Sequence, residues 1–204
     1  MPAQQSDSLV RRVREAVVGR YDEPQRYYHT RAHIAEVEAA LHTLIGPETL
    51  PPSLQFAAWF HDAVYDPGQA AGANERGSAE LARSVLGSLG VPDCVIAEVC
   101  GHILATIAHE VGLEPDPSRR ARRAAFLDAD LWILSAEQPR YEQYCRQVRQ
   151  EYKHVPEALF RAGRAQLLAA LTAREYLYCT EHARTHWEHL ARANLDRELH
   201  SLQP

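Results

Sequence analysis

The stretch His29-Thr30-Arg31-Ala32-His33-Ile34-Ala35-Glu36-Val37-Glu38-Ala39-Ala40-Leu41-His42-Thr43-Leu44-Ile45 spaces Ile34, Val37, Leu41 and Leu44 at three- and four-residue steps. That spacing gathers apolar side chains on one face of an α-helix, and Gly46-Pro47 then stops it. The same period runs outward in both directions. Upstream, Leu9, Val13, Val17 and Val18 share a face of a helix from about Ser8 to Tyr21, with Pro24 marking the break. Downstream, Pro51-Pro52-Ser53 presets the first turn of a helix that continues through Leu54, Ala57, Ala58, Phe60 and Val64 to Asp66-Pro67.

Gly68 to Gly72 reads as a mobile loop, of the kind that gates substrate entry. Asn74 caps a helix reaching Leu89-Gly90, and Val95 to Val111 forms the next. Glu114-Pro115-Asp116-Pro117 breaks that helix, and Ser118 caps a successor burying Phe126, Leu127, Leu131, Ile133 and Leu134. Amphipathic segments at about Glu137–His154, Pro156–Arg174 and Thr180–Leu202 complete the chain. Alternating β-branched runs joined by Asn-Gly or Asp-Gly are missing, so the expected fold class is all-α, a helical bundle.

A length of 204 residues suits one well-packed domain, and no composition shift or repeat marks a boundary, so residues 1–204 are expected to form a single domain. The net charge of −5 gives no general attraction for long polyanions. Cys94, Cys100, Cys145 and Cys179 form no C-x-x-C pair and read as free thiols, which points to a reducing, cytoplasmic setting. Met1 to Ser8 is polar and precedes Arg11, Arg12 and Arg14, so no apolar signal core is expected, nor any membrane span.

Three pieces carry chemistry. His29 and His33 are four residues apart, so on one helix both would face one point. His61-Asp62 interrupts the apolar run Trp59-Phe60-His61-Asp62-Ala63, and Asp128 and Asp130 interrupt Phe126-Leu127-Asp128-Ala129-Asp130-Leu131. Burying such groups is costly unless something pairs with them, and one bound ion answers all three cases. Each piece alone is a weak signal, since paired histidines usually lie on a half-exposed helix face.

In order and spacing the three resemble the HD superfamily of metal-dependent phosphohydrolases, whose all-α domain uses a His, then a His-Asp doublet, then a distant Asp. The likeness covers at least His29 to Leu134. The segments from Tyr152 and from Ala191 to Leu199 extend it to a short, single-domain subgroup of predicted phosphohydrolases, with the C-terminal helices packed on the metal-binding core. The resemblance implies that His33, His61, Asp62 and Asp130 ligate the metal. The resemblance favours His33 over His29, because the family pattern places a short aliphatic segment, here Ile34 to Val37, directly after its ligand. Asp130 is preferred to Asp128 because Ala129-Asp130-Leu131 resembles the closing motif, which leaves Asp128 as a helix-turn carboxylate or one that orients a ligand from behind. Two imidazoles with two carboxylates suit a divalent transition metal, Mn, Fe, Co, Ni or Zn.

A second ion, Mg among the choices, is left open by His102, Thr106 and His109, which would share a face of one predicted helix. Against it stands the ordinary reading of surface histidines near a helix C-terminus, and His109 is the better candidate. Glu75, His29 and His109 are the candidate acid–base groups. Arg76, beside the N-terminus of the helix after the Gly-rich loop, and Arg31, beside the His29–His33 face, are the candidate phosphate ligands. Their ordinary readings are a first-turn Glu favoured by the helix dipole and solvated arginines. The run Arg119-Arg120-Ala121-Arg122-Arg123 reads as a solvated helix face; Arg146, Arg149, Lys153, Arg161 and Arg164 likewise fit exposed helix positions, with contact of one of these five to a substrate left open.

The implied activity is hydrolysis of a small phosphoester, a nucleotide first among the candidates, and the alternative is a noncatalytic metal-containing nucleotide sensor on the same scaffold. Ala63-Val64-Tyr65 lacks the acidic residue after the doublet expected of deoxynucleoside 5′-monophosphatases or guanosine-tetraphosphate hydrolases. No His-His-Glu followed by Gly-Tyr-Pro appears, which disfavours a cyclic-di-GMP phosphodiesterase, and the chain is short for a dNTP triphosphohydrolase. The expected partner is a small phosphorylated substrate, with no long nucleic acid and no membrane, and a homo-oligomer is left open.

Overall fold

Helical periodicity becomes ten α-helices among the described residues, with no strand among them. The structure, a computed structural model, describes residues 3–48 and 50–202. Met1 and Pro2 of the polar N-terminal stretch, with Thr49, Gln203 and Pro204, lie outside the described residues.

Helix α1 (Ala3–Val17) gives way to a 3₁₀ turn at Val18–Asp22, earlier than the expected end at Tyr21. That turn buries Tyr21, whose hydroxyl donates to the Trp59 carbonyl at 2.9 Å. Helix α2 (Arg31–Ile45) starts two residues later than the periodicity suggested, because the Thr30 side chain accepts from the Ala32 N–H and caps it. His29 therefore lies outside the helix that carries His33. Helix α3 (Pro52–Phe60) ends well before Val64. The buried Arg26 guanidinium takes the carbonyls of Asp62 and Ala63 at 2.7 and 3.3 Å, which turns the chain out of the helix just after His61-Asp62.

Helix α4 (Ala73–Ser88) begins after Gly72, whose φ of +74° is the left-handed conformation that glycine tolerates. Asn74 does not cap it. The Asn74 amide instead brackets the preceding loop, accepting from the Asp66 N–H at 3.1 Å and donating to the Asp66 carbonyl at 3.0 Å. Helix α5 (Asp93–Ala105) stops short of the expected Val111, and Arg174 takes the carbonyls of Ala108 and His109 in the turn beyond it. Helix α6 (Pro117–Asp130) is capped by Asp116 rather than Ser118, since Pro117 occupies the first helical position. A 3₁₀ turn at Leu131–Ser135 follows.

Helices α7 (Gln138–Glu151) and α8 (Glu157–Thr172) agree with the expected segments to within a few residues. The expected helix from Thr180 divides at Trp187 into α9 (Glu181–His186), capped by Thr180, and α10 (Glu188–Leu202). In the bundle α5 packs against α3 and α4, α2 against α6, and α10 against α8 and the Leu131–Ser135 turn. Leu41, Leu54, Phe60, Leu86, Ile103 and Phe126 are fully buried between them. At roughly 1.5–3 kcal/mol for each such side chain, this packing fixes where the ends of α3 and α6 meet the first turn of α2. All four cysteines are free thiols. Among the described residues no helix is long and apolar enough to cross a membrane.

Candidate metal centre

Four side chains meet where those elements converge. His33 comes from the first turn of α2, His61 and Asp62 from the residues just past α3, and Asp130 is the last residue of α6. The Nε2 atoms of His33 and His61 are 3.0 Å apart. Asp62 Oδ2 lies 3.4 Å from His33 Nε2 and 3.0 Å from His61 Nε2. Asp130 Oδ1 lies 3.3 and 3.4 Å from the same two nitrogens. Donors about 2.1 Å from a common ion stand roughly 3.0 Å apart in an octahedral arrangement and 3.4 Å apart in a tetrahedral one. The five observed spacings span that range, so His33, His61 and Asp62 form a group that could hold one divalent ion, with Asp130 Oδ1 within 3.4 Å of both imidazoles.

The tautomer of His61 agrees with such a role. Its Nδ1 lies 3.0 Å from the Ala58 carbonyl and donates its proton there, which leaves the Nε2 lone pair aimed at the other donors. Both imidazoles are buried. Burial opposes charge on them, yet Asp62 and Asp130 outweigh it and raise both pKa values, that of His61 strongly. Burial likewise opposes the carboxylate charges. The neighbouring imidazoles win again, holding Asp62 and Asp130 well below the usual carboxylate range. Two ionised carboxylates in this enclosure demand positive charge beside them, which protons on the imidazoles or a divalent cation can supply.

His29 stands at the edge of the cluster. Its Nε2 is 4.0 Å from Asp62 Oδ2, and its Nδ1 is 2.8 Å from Glu151 Oε2. Glu151 is buried, and its other oxygen accepts the consecutive backbone N–H groups of Tyr27, Tyr28 and His29 at 2.8–2.9 Å. Tyr65 stacks on the His29 ring and donates its hydroxyl to Glu151 Oε2 at 2.9 Å. Arg26 links the two halves of the site, donating to the carbonyls of both His29 and Asp62.

His109 reaches the cluster from the turn after α5, not from a helix face shared with His102. Its Nε2 lies 3.0 Å from Asp130 Oδ2, so Asp130 serves His33 and His61 with one oxygen and His109 with the other. Its φ of +48° is the one left-handed value of a non-glycine residue among the described residues. Such a conformation costs free energy and persists only where the surroundings enforce it, here through the grip of Arg174 on the Ala108 and His109 carbonyls. A cavity of about 220 Å³ opens over the cluster, lined by His29, His33, Asp62, Glu75, His109 and Asp130 among others. Glu75, from the first turn of α4, holds one buried carboxylate oxygen with no hydrogen-bond partner.

Other sequence candidates lie elsewhere. Arg31 is exposed and pairs with Asp22. Arg76 is exposed and folds back on the Ala71 carbonyl at 3.1 Å. Neither lines the cavity. Asp128 gives both oxygens to the N–H groups of Cys179 and Thr180 at 2.6 and 2.7 Å, so it ties the segment before α9 to α6 and stays away from the imidazoles. His102 is fully buried 3.5 Å from Glu98, stacked on Phe126, and burial lowers its pKa against the pull of Glu98. In the arginine run, Arg122 and Arg123 are half-buried in ion pairs with Glu98 and Glu114 rather than solvated.

Arg164 also departs from the exposed position expected of it. It is buried, lines the cavity and makes a two-pronged pair with Glu198 at 2.8 and 3.0 Å. Sequence reasoning missed Glu151, Tyr65 and Arg26, and reached Arg164 only as one of five basic residues of which one could meet a substrate. A signal existed for two of them: Tyr141, Tyr144, Val148 and Glu151 form one apolar face of α7, and Phe160, Arg164, Leu168 and Leu171 one face of α8. A charge on such a face is the same anomaly that singled out Asp130. No protein-family model, curated protein or solved structure matches the chain.

Proposed function

We propose that the protein is a metal-dependent hydrolase of small phosphoesters, with nucleotides as the first class to examine. The observation that carries this reading is that Asp62 Oδ2 and Asp130 Oδ1 each lie 3.0–3.4 Å from the paired Nε2 atoms of His33 and His61, with His33, Asp62 and Asp130 lining a cavity. Their order along the chain, His then His-Asp then Asp, is the pattern that resembles the HD superfamily. The donor set fits a divalent transition metal, which when bound would supply Lewis acidity toward water and a phosphoryl oxygen.

The chain's own groups divide the remaining work. Glu75 offers an unpartnered carboxylate oxygen at the cavity, suited to accept a proton from attacking water. His29 is held at Nδ1 by Glu151, so its Nε2 faces Asp62 and can pass a proton to the departing alkoxide. His109, on the outer oxygen of Asp130, keeps that carboxylate turned toward the imidazoles. Arg164 lines the cavity and commits three of its five N–H donors to Glu198 and the Tyr144 hydroxyl. It replaces Arg31 and Arg76 as the cationic side chain facing a phosphoryl group.

The test is phosphate release by metal-stripped protein reloaded with Mn, Fe, Co, Ni, Zn or Mg, across nucleotides, sugar phosphates and aryl phosphates. Turnover with at least one ion, abolished by Asp62→Ala, supports hydrolysis. Ligand-dependent melting without turnover of any substrate would instead establish the sensor.

A further inference from the structure

A second cleft, of about 460 Å³, adjoins the metal cavity. It shares Tyr28, His29, Tyr144, Arg164 and Leu167 with that cavity, so the two lie side by side. Its two ends differ in chemistry. The inner end holds His29 and Arg164 beside the carboxylates, whereas the outer end is walled by Val148, Tyr152, Val155, Leu159 and Phe160.

Leu159, Gly163 and Leu167 follow one another at four-residue steps along α8 and present one face to the cleft. Leu159 and Leu167 are 65% and 50% exposed and border the cleft beside the buried Arg164. Gly163 between them has open space where a Cβ would stand, which deepens the floor. Where the two spaces adjoin, the Tyr28 hydroxyl is buried without a hydrogen-bond partner. A buried donor left unpaired is costly, and a ligand oxygen lying there would satisfy it.

From this adjacency we infer that the substrate is two-ended: its phosphoryl group sits over the His33–His61–Asp62–Asp130 cluster, and its leaving group is an apolar moiety of ring size lying in the Tyr144–Phe160–Leu167 cleft. The inference rests on the phosphoester reading and narrows it, placing an apolar ring ahead of a nucleoside as the leaving group. Sugar hydroxyls in the outer cleft would lose their hydrogen bonds to water and meet aliphatic walls, so sugar phosphates are poor occupants. An aromatic or aliphatic ring gains by burial alone, without any donor or acceptor to read its identity.

Non-hydrolysable phosphonates separate binding from turnover. Calorimetry on the metal-loaded full chain compares 1-naphthylmethylphosphonate with methylphosphonate, which carries the same head and no ring. The ring should tighten binding at least tenfold. Gly163→Leu should remove that gain while leaving methylphosphonate affinity unchanged, because it fills the cleft and raises helix propensity in α8, so folding is not at risk. Leu159→Asp, at an exposed position, should cut the gain without moving methylphosphonate. Equal affinity of the two phosphonates would overturn the cleft assignment and leave the phosphoester reading standing. Failure of both to bind metal-loaded protein would overturn the two together. A dimer in sedimentation that Leu159→Asp dissociates would assign the cleft to a second copy of the chain and overturn the inference.

Discussion

Glu151 holds His29 at both its backbone and its ring: one oxygen accepts the His29 N–H at 2.9 Å and the other lies 2.8 Å from its Nδ1. Burial works against this carboxylate's charge, but His29 and the backbone N–H groups prevail and keep its pKa down at about 2, against 4.5 ordinarily. A depressed folded-state value means a contribution complete above about pH 4.5 and lost as pH falls toward 2. The difference corresponds to about 3 kcal/mol at neutral pH. Glu151→Gln should therefore destabilise the chain most at pH 7, with the gap to the native protein narrowing steadily below pH 4.5. Urea unfolding at pH 7, 4 and 2.5 measures it, and a gap independent of pH would reject the electrostatic account.

The two carboxylates of α6 make opposite predictions. Asp130→Asn should lower metal affinity by 10-fold or more, since its oxygens face imidazoles. Asp128→Asn should leave metal binding intact and cost about 2 kcal/mol of stability, because one of the N–H groups of Cys179 and Thr180 would face an amide NH₂. Metal titration and denaturation of both variants give the ranking directly.

His109 tests whether the backbone is strained to serve the site. His109→Gly and His109→Ala remove the same imidazole from Asp130, but only glycine is at ease at a φ of +48°. The glycine variant should be more stable than the alanine variant by about 1 kcal/mol while both lose the same fraction of metal affinity. Alanine as stable as glycine in thermal melts would show that the turn is unstrained.

The arginine run of α6 should not bind long nucleic acid. Arg122 and Arg123 are already paired with Glu98 and Glu114, and Arg120 donates to the Glu114 carbonyl. A titration of single- and double-stranded oligonucleotides at two salt concentrations should show no tight, steeply salt-dependent binding. Affinity that falls sharply with salt and disappears on Arg119→Ala/Arg120→Ala would contradict this.

The helices and the four clustered residues were legible because each leaves a local mark. Ile34, Val37, Leu41 and Leu44 mark α2, and His61-Asp62 and Asp130 break apolar runs at the ends of α3 and α6. What escaped depends on partners far along the chain. Nothing near Asp62 announces that Arg26 will take its carbonyl and end α3, nor near His29 that Glu151 will hold its ring. Asp128 and Asp130 interrupt the same apolar run, and the preference for Asp130 came from the resemblance. The packing of the segment at Cys179–Thr180 supplies the physical distinction. Arg31 and Arg76 looked well placed from spacing alone, but exposed arginines find nearer partners, Asp22 and the Ala71 carbonyl.

The most direct measurement is the metal content of the purified full chain, by elemental analysis after equilibration with one divalent transition metal at a time, beside His61→Ala and Asp62→Ala. The four-donor cluster predicts about one tightly held ion per chain for the native protein. It predicts loss of that ion in both variants, whose circular dichroism should remain helical because the core packs without the site. A native chain that retains no ion under any of these conditions, or variants that hold it as tightly as the native protein, would contradict the assignment.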